Sequence, residues 1–148
     1  MKKCLFFLML FPALCLSQIK QVEDVKPELI GKVGPKKAPH VGLYKYEDLY
    51  YFEYNDVKFT HIDSFKKISF LNEDNALDTL YKLIKENLEN PPKEDIKLEF
   101  PNNYVWLEFT KNMGIVSVRF YDKNRKTGIE GLTIWMTKKQ IDRLFGKK

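Results

Sequence analysis

The sequence predicts an α+β domain in which one long central helix packs an antiparallel β-sheet. The sheet consists of an N-terminal hairpin and a C-terminal four-stranded meander, and a short helix ends the chain. Three observations lead to this prediction. Apolar residues recur with the helical period from Asn72 to Asn90. On both sides of this segment they alternate with polar residues, which is the period of strands. Short loops join the alternating runs, as they do in antiparallel meanders.

The central helix is expected to run from Asn72 to Asn90. Its apolar residues fall within an arc of roughly 100°, which is typical of a helix that packs on one side. These residues are Leu77, Leu80, Tyr81, Ile84 and Leu88. Asn72 is the expected N-cap, because its side-chain oxygen can accept a hydrogen bond from a free helical N–H group. Pro91 and Pro92 end the helix, since proline has no backbone N–H.

The first 17 residues have the pattern of a secretory signal peptide. Lys2 and Lys3 precede an apolar run from Cys4 to Phe11, and Cys15 and Ser17 place small residues at a cleavage site. We therefore expect a secreted or periplasmic protein that is cleaved after Ser17. The apolar run is too short for a membrane span, so none is expected after cleavage. The alternatives are a lipoprotein modified at Cys15 and an uncleaved anchor.

Both cysteines, Cys4 and Cys15, lie inside this signal, so the mature chain is expected to contain none. Cysteine nucleophiles, disulfide exchange and thiolate zinc sites are thereby excluded for the mature form. Cleavage leaves 131 residues, enough for one domain, and removes two lysines, so that the net charge falls from +5 to +3. The charges of both signs are interspersed, which gives no specific signal for nucleic-acid binding.

Residues 18–42 contain three prolines and three glycines and almost no apolar periodicity. This composition predicts an extended leader or tether ahead of a single domain that spans residues 43–148. One alternative is a frayed helical turn built on Ile19, Val22 and Val25. The leader could also lie along the surface of the domain.

The N-terminal β region begins where the period becomes two. Leu49 to Tyr54 and Val57 to Ile62 flank Asn55-Asp56, a two-residue link of the kind that tight hairpins use. Both runs are rich in aromatic and β-branched residues, which suit a pleated surface. A third run, Lys67 to Leu71, leads into the central helix. These runs predict a hairpin followed by one short strand.

After Pro92 the alternation is more regular and predicts four strands with one apolar face. The residues expected on that face are Ile96, Leu98, Phe100, Val105, Leu107, Phe109, Val116, Val118, Phe120, Leu132, Ile134 and Met136. The final helix has a compact start signal, because Thr137 and Gln140 have the spacing of a capping box. Gly146 supplies its expected stop.

The sequence contains no recognisable catalytic motif. A G-x-S-x-G nucleophile turn and a glycine-rich phosphate loop are both missing. His61 and Asp63 form an H-x-D pair, but no third metal ligand accompanies them. The loop from Asp122 to Glu130 does not fit a calcium-binding EF-hand loop, which needs glycine at its sixth and glutamate at its twelfth position. Counted from Asp122, these positions are Thr127 and Thr133, and the loop carries three cations. We therefore expect no catalytic residues, no cofactor and no metal.

The opposite face of the meander is the candidate binding surface. Aromatic side chains alternate outward there, together with one arginine: Tyr104, Trp106, Arg119, Tyr121 and Trp135. Aromatic rings with a few polar groups suit contact with a protein, a peptide or a carbohydrate. The alternative is that the N-terminal hairpin covers this face with Tyr50, Phe52 and Tyr54.

These observations lead to the hypothesis of a small exported, non-catalytic binding or interaction protein whose partner is unknown. One alternative is a small extracytoplasmic hydrolase that uses acidic residues on the polar face of the sheet. Its candidate residues are Glu99, Glu108 and His61, and they would have to converge in one cleft. Another alternative, close to the first hypothesis, is an inhibitor or an immunity-type protein.

Overall fold

The first of two antiparallel sheets consists of four strands that follow one another both in sequence and in space. A computed structural model describes residues 25–59 and 61–147 of the chain. The strands of the first sheet are β1 (Glu28–Val33), β2 (Val41–Tyr46), β3 (Leu49–Asn55) and β4 (Phe65–Leu71). Every neighbouring pair is antiparallel. Among the described residues, β1 and β4 each pair with one strand only and are therefore the two edges of this sheet.

The second sheet is the predicted C-terminal meander, but it has five strands rather than four, because the last predicted run is divided into two short strands. Its strands are β5 (Ile96–Glu99), β6 (Asn103–Asn112), β7 (Ile115–Asn124), β8 (Glu130–Leu132) and β9 (Met136–Thr137). Strands β5 to β8 are neighbours in sequence order, and β9 also pairs with β7. Together with the first sheet and two helices, this arrangement confirms the predicted α+β fold.

Helix α1 (Ala76–Glu89) packs on the second sheet, where it contacts β6 and β7. Leu80, Ile84 and Leu88 are buried, as the apolar stripe predicts. Helix α2 (Lys138–Leu144) has the expected capping box, in which the Oε1 atom of Gln140 accepts the backbone N–H of Thr137 at 2.8 Å. None of the helices in the described part of the chain is long and apolar enough to cross a membrane.

The core lies between the two sheets and the helices. The ring of Phe52 in β3 meets the ring of Phe120 in β7 edge-to-face at 5.5 Å and that of Phe145, after α2, at 5.7 Å. Phe70 of β4 contacts Phe100, which follows β5, at 5.5 Å. These pairs join both sheets in one cluster of buried apolar side chains.

The predicted hairpin around Asn55-Asp56 is wrong. Strand β3 pairs with β2 and β4, and Val57 to Phe59 form no strand. The cause is Asp56, which is 1% exposed and has its carboxylate bound by Lys66 and by backbone N–H groups. After Asp56 the chain therefore contacts Leu132 of the second sheet instead of pairing with β3.

The expected leader over residues 18–42 also requires correction, because part of it belongs to the first sheet. Strand β1 pairs with β2 from Glu28 to Val33, and β2 begins at Val41, so neither segment is a tether. Only glycine fits at position 31, because a Cβ atom there would clash with the backbone carbonyl oxygens of Arg143 and Leu144. The predicted signal peptide, residues 1–17, lies outside the described residues.

The central helix starts later than predicted. Asn72 is followed by a short 3₁₀ helix (Glu73–Asn75), in which Asp74 and Asn75 have positive φ angles of 51° and 57°. The side chain of Asn72 still caps a backbone group, because its Oδ1 atom accepts the N–H of Leu77 at 2.9 Å. The α-helix therefore begins at Ala76.

The last strand of the meander changes its phase. Tyr121 pairs with Leu132, whereas Val118 pairs with Met136, so one extra residue separates the two pairs on the β8–β9 side. An extra residue of this kind is a β-bulge, and it reverses the side to which the following residues point. Leu132 thus lies on the opposite face from Met136, contrary to the prediction that both share the apolar face.

Candidate functional site

The outer face of the second sheet is the side opposite the core, and cross-strand register determines its residues. Lys97 of β5, Trp106 of β6 and Tyr121 of β7 lie opposite one another in a single row. Tyr104 lies two residues before Trp106 and shares its side of the strand. The predicted aromatic residues of the two central strands therefore come together on this face.

These three aromatic rings form a continuous strip. The ring centroids of Trp106 and Tyr121 are 5.2 Å apart, and those of Tyr104 and Trp106 are 6.2 Å apart. The ammonium group of Lys97 lies 4.1 Å from the Tyr104 centroid and 5.1 Å from that of Trp106. The guanidinium of Arg125 lies 5.0 Å from the Tyr104 ring. Cations within about 6 Å of a ring are attracted by its negative face.

Arg119 and Trp135 continue the strip toward the edge of the sheet. The guanidinium of Arg119 lies 4.4 Å from the centroid of Trp135, and its Nε atom donates to Glu108 at 2.5 Å. Trp135 is 39% exposed, which is a large fraction for an aromatic ring of this size. The ion pair orients the guanidinium, and the guanidinium supports one side of the ring.

Tyr121 is the most strongly perturbed group on this face. Burial, followed by its hydrogen bond to Glu130, raises the pKa of the Tyr121 phenol to about 12. The same hydrogen bond and those from Lys123 and Lys58 lower the pKa of Glu130. Lys58 also lies 5.2 Å from the Tyr121 centroid. The phenol therefore stays protonated and the carboxylate stays charged at neutral pH.

The arrangement is suited to recognition. Half-exposed aromatic rings lie at the centre of the sheet face, and cations surround them. Each of the three carboxylates on this face is already paired with a cation: Glu99, Glu108 and Glu130. Sequence reasoning did not find the cations Lys58, Lys97 and Arg125 as part of this surface. The cross-strand register, which places Lys97 opposite Trp106, could have assigned Lys97 to this surface. Lys58 belongs to the loop after β3, and the sequence around it contains no pattern that predicts its position here.

The alternative that the N-terminal hairpin covers this face is wrong. Phe52 packs on Phe120, the neighbour of Tyr121 in the chain, and consecutive strand residues point to opposite faces. Tyr54 likewise reaches Asp122, on the core side. The first sheet therefore packs against the inner face, and the described part of the chain leaves the outer face half exposed.

The acidic residues of the hydrolase alternative are spread over the outer face. Glu99 pairs with Arg125 at 2.7 Å, and Glu108 pairs with Arg119. Glu99 lies opposite Tyr104, four residues before Glu108, so the two backbone positions are about 14 Å apart. Glycosidases need two carboxyl groups that can act on either side of a substrate bond, whereas each of these carboxylates is already bound by an arginine. The geometry thus offers no support for a two-carboxylate mechanism.

The two residues of the H-x-D pair are also separated from any larger cluster. His61 is exposed, and the Oδ1 atom of Asp63 accepts a hydrogen bond from Asn55 at 3.0 Å. Within residues 25–59 and 61–147, no three His, Cys, Asp or Glu side chains are arranged to hold a metal ion.

A second polar cluster, which sequence reasoning missed, is buried between the two sheets. Tyr54 donates a hydrogen bond to Asp122, and the side-chain amide of Asn103 donates to the same carboxyl group at 2.7 Å. Burial raises the pKa of Asp122 to about 7. Asn103 and Asp122 have the same strand parity as the core residues Val105 and Phe120, which is the signal that could have revealed them.

Asp56 and Lys66 extend this buried cluster. The Nζ atom of Lys66 lies 2.5 Å from Asp56 and also donates to the carbonyl of Glu130. The other carboxylate oxygen of Asp56 accepts the N–H of Leu132 at 3.2 Å. These bonds join the first sheet to β8 through polar groups that are all satisfied, and they serve the fold rather than an open site.

Comparisons with protein-family models, with curated proteins and with solved structures returned no match for this chain.

Proposed function

We propose that this chain is a small exported, non-catalytic binding protein that contacts its partner through the outer face of the second sheet. The observation that carries the proposal is the half-exposed strip of Tyr104, Trp106 and Tyr121 on the two central strands. Large aromatic rings bring much contact area at little cost in conformational entropy, and they dominate the binding energy of many interfaces.

The chemistry of the strip suggests the class of partner. Flat rings can stack on the apolar face of a sugar or on the side chains of a protein or peptide. Arg119 and Lys97 can donate hydrogen bonds at the rim of such a contact. The paired carboxylates keep the face from being strongly charged, so shape and stacking contribute more than long-range attraction.

The two tryptophans provide a direct test, because Trp106 and Trp135 are the only ones in the chain and both belong to the candidate surface. Defined oligosaccharides and short peptides are titrated into the protein while the tryptophan emission is recorded. A ligand of this surface should shift or quench the emission in a saturable manner. A ligand that binds tightly but leaves the emission unchanged would place the site elsewhere.

Two alanine variants separate binding from stability. Trp106→Ala and Trp135→Ala are compared with Tyr51→Ala, a matched control on the opposite sheet, where Tyr51 stacks on Tyr44 at 5.2 Å. The proposal expects the tryptophan variants to lose affinity while they remain folded, and the control to bind normally. If the tryptophan variants lose only stability, the strip is a structural layer and the proposal fails.

Export is tested separately. Mass spectrometry of the protein recovered from expressing cells should find Gln18 as the first residue, since cleavage is expected after Ser17. A diacylated Cys15 would instead establish the lipoprotein alternative, and an intact Met1 on the folded product would contradict both.

A further inference from the structure

An apolar groove of about 480 Å³ lies outside the candidate surface, between the start of α1 and the free edges of the two sheets. Leu80 and Leu83 of α1 line it on the helix side. Its apolar walls come from β4 and from β5 and the turn after it: Phe70, Leu98 and Phe100. Leu83, Leu98 and Phe100 remain partly exposed, although each packs against the core.

Within residues 25–59 and 61–147, no strand pairs with the edge of β5 beside this groove. Strand β5 is the last strand on its side of the second sheet. The N–H of Phe100 bonds to the carbonyl of Asn103, and Leu98 lies opposite Val105 in the same register. In antiparallel ladders, bonded and non-bonded pairs alternate. Lys97 and Glu99 therefore direct their N–H and C=O groups away from β6.

The mouth of the groove is acidic. Glu73 and Asp74 line it and are exposed, and neither forms an ion pair with another residue of the described chain. Glu99 also lines the groove, but Arg125 already neutralises its carboxylate. The two free carboxylates favour a cationic ligand in a protein whose net charge is positive.

We propose that this groove and the β5 edge bind an extended, basic peptide segment of another protein by strand addition. The peptide pairs with the outward N–H and C=O groups of Lys97 and Glu99 and becomes an additional strand of the second sheet. Side chains of a strand alternate between its two faces. Every second residue of the peptide therefore enters the groove and contacts Leu83 and Leu98.

The negative charges of Glu73 and Asp74 favour basic over acidic peptides. Lysine or arginine residues that flank its apolar positions lie close to Glu73 and Asp74 at the mouth. An acidic peptide of the same apolar pattern meets two like charges there and is rejected. Backbone pairing thus supplies affinity, while the pocket and the two carboxylates supply specificity.

The test uses three blocked, fluorescein-labelled hexapeptides and the full chain. The first alternates valine and lysine, the second alternates valine and glutamate, and the third is the valine–lysine peptide with methylated backbone amides. Fluorescence anisotropy should report saturable binding of the first peptide only, since methylation removes the N–H groups that pair with a sheet edge. Absence of binding by the valine–lysine peptide at millimolar concentration overturns the proposal, and so does equal binding of its methylated form.

Variants locate the contact. Glu73→Lys should lower the affinity for the valine–lysine peptide about fivefold and raise the affinity for the valine–glutamate peptide, because one surface ion pair is worth up to about 1 kcal/mol.

Glu99→Pro removes an outward N–H at an edge position that tolerates proline. It should lower the affinity for the valine–lysine peptide about two- to tenfold relative to Glu99→Ala. Thermal melts establish that each variant is folded. If Glu99→Pro and Glu99→Ala bind equally, strand addition is refuted.

Two measurements distinguish this site from the outer face. In an NMR titration, a peptide in the groove should perturb the amide resonances of Lys97 and Glu99. In the anisotropy titration, the same peptide should bind with equal affinity to the wild type, Trp106→Ala and Trp135→Ala. If the peptide loses affinity for those tryptophan variants, it occupies the outer face, and the groove proposal fails while the proposed function stands.

Discussion

Tyr54 of the first sheet donates a hydrogen bond to Asp122 of the second sheet, and both side chains are almost completely buried. The contact is a polar link across the interface between the two sheets. A buried carboxyl group is costly when it is charged, so this link makes the stability of the fold depend on pH.

The stability should fall as the pH rises through the pKa of Asp122. Its pKa is about 7 in the folded chain and about 3.9 in the unfolded chain, so the folded state holds the proton more tightly. The resulting stabilisation is complete below about pH 4 and is lost by about pH 7. Urea unfolding should therefore give a free energy about 3 kcal/mol higher at pH 5 than at pH 8.5.

Asp122→Asn is the control for this pH dependence, because an amide of the same size has no titrating proton. Its stability should be nearly constant over the same range. Equal stability of the wild type at pH 5 and pH 8.5 would contradict the prediction for Asp122.

Asp142 affects the stability only at lower pH. Burial alone would raise the pKa of Asp142, but the hydrogen bonds from Lys85 and Tyr81 lower it overall. The stabilisation by Asp142 is therefore lost only as the pH falls below about 4.

Gly131→Ala should destabilise the protein because no space exists for a methyl group. A Cβ atom at this position would lie 2.6 Å from the Oδ1 atom of Asp122 and 2.7 Å from the Cδ atom of Lys66, and even closer to the Tyr54 hydroxyl. Overpacking of this kind costs about 1–3 kcal/mol. Chemical denaturation measures the loss.

A double variant tests the cause. Tyr54→Phe removes the closest atom, so it should cost less in the Gly131→Ala background than in the wild type. Gly128→Ala is the matched control, since its φ of 69° causes strain although nothing lies within 4 Å of the added Cβ. Its effect should add to that of Tyr54→Phe. Additivity for Gly131→Ala as well would refute the steric explanation.

Lys66→Met should be much more harmful than the same change at the next residue. Lys66 compensates Asp56, whose side chain is fully buried, and removal of one partner of a buried pair leaves an uncompensated charge. The expected cost is about 3 kcal/mol. Lys67 pairs with Glu53 on the surface, so Lys67→Met should change the stability by less than about 1 kcal/mol. Similar unfolding free energies for both variants would contradict a role for burial.

Ile84→Ala should reduce stability without affecting recognition at the outer face. Ile84 is fully buried where α1 packs on the second sheet, and removal of its side-chain carbons costs about 2–5 kcal/mol. Lys82→Ala, an exposed change on the same helix, should be nearly neutral. A folded Ile84→Ala protein with impaired binding at the outer face would show that the helix contributes to the site.

The fold was predictable where local signals agreed with packing. The stripe of α1 and the capping box at Thr137 and Gln140 have specific residue spacings, and the structure contains both. The hairpin at Asn55-Asp56 was not predictable, because its apparent turn residue binds a lysine ten positions away. The phase change between Leu132 and Met136 likewise depends on a bulge that leaves no mark in the alternation.

The candidate surface was predictable in its rings but not in its surroundings. Alternation alone assigns Tyr104, Trp106 and Tyr121 to one face of the meander. The position of Lys58 over Tyr121 depends on how a loop of the first half of the chain returns to β8, through the bond from Val57 to Leu132. Long-range contacts of this kind follow from tertiary packing rather than from local sequence.

The order of strands within the two sheets has a consequence for how the chain folds. Apart from β9, which pairs with β7, the strands of each sheet are neighbours in chain order, so most ladder bonds close short loops and require little loss of loop entropy. The contacts across the interface, such as Phe52 with Phe120, span far more of the chain. We therefore expect the hairpin of β6 and β7 to be largely formed in the folding transition state. Substitutions in that hairpin should slow folding, whereas Phe52→Leu should mainly accelerate unfolding.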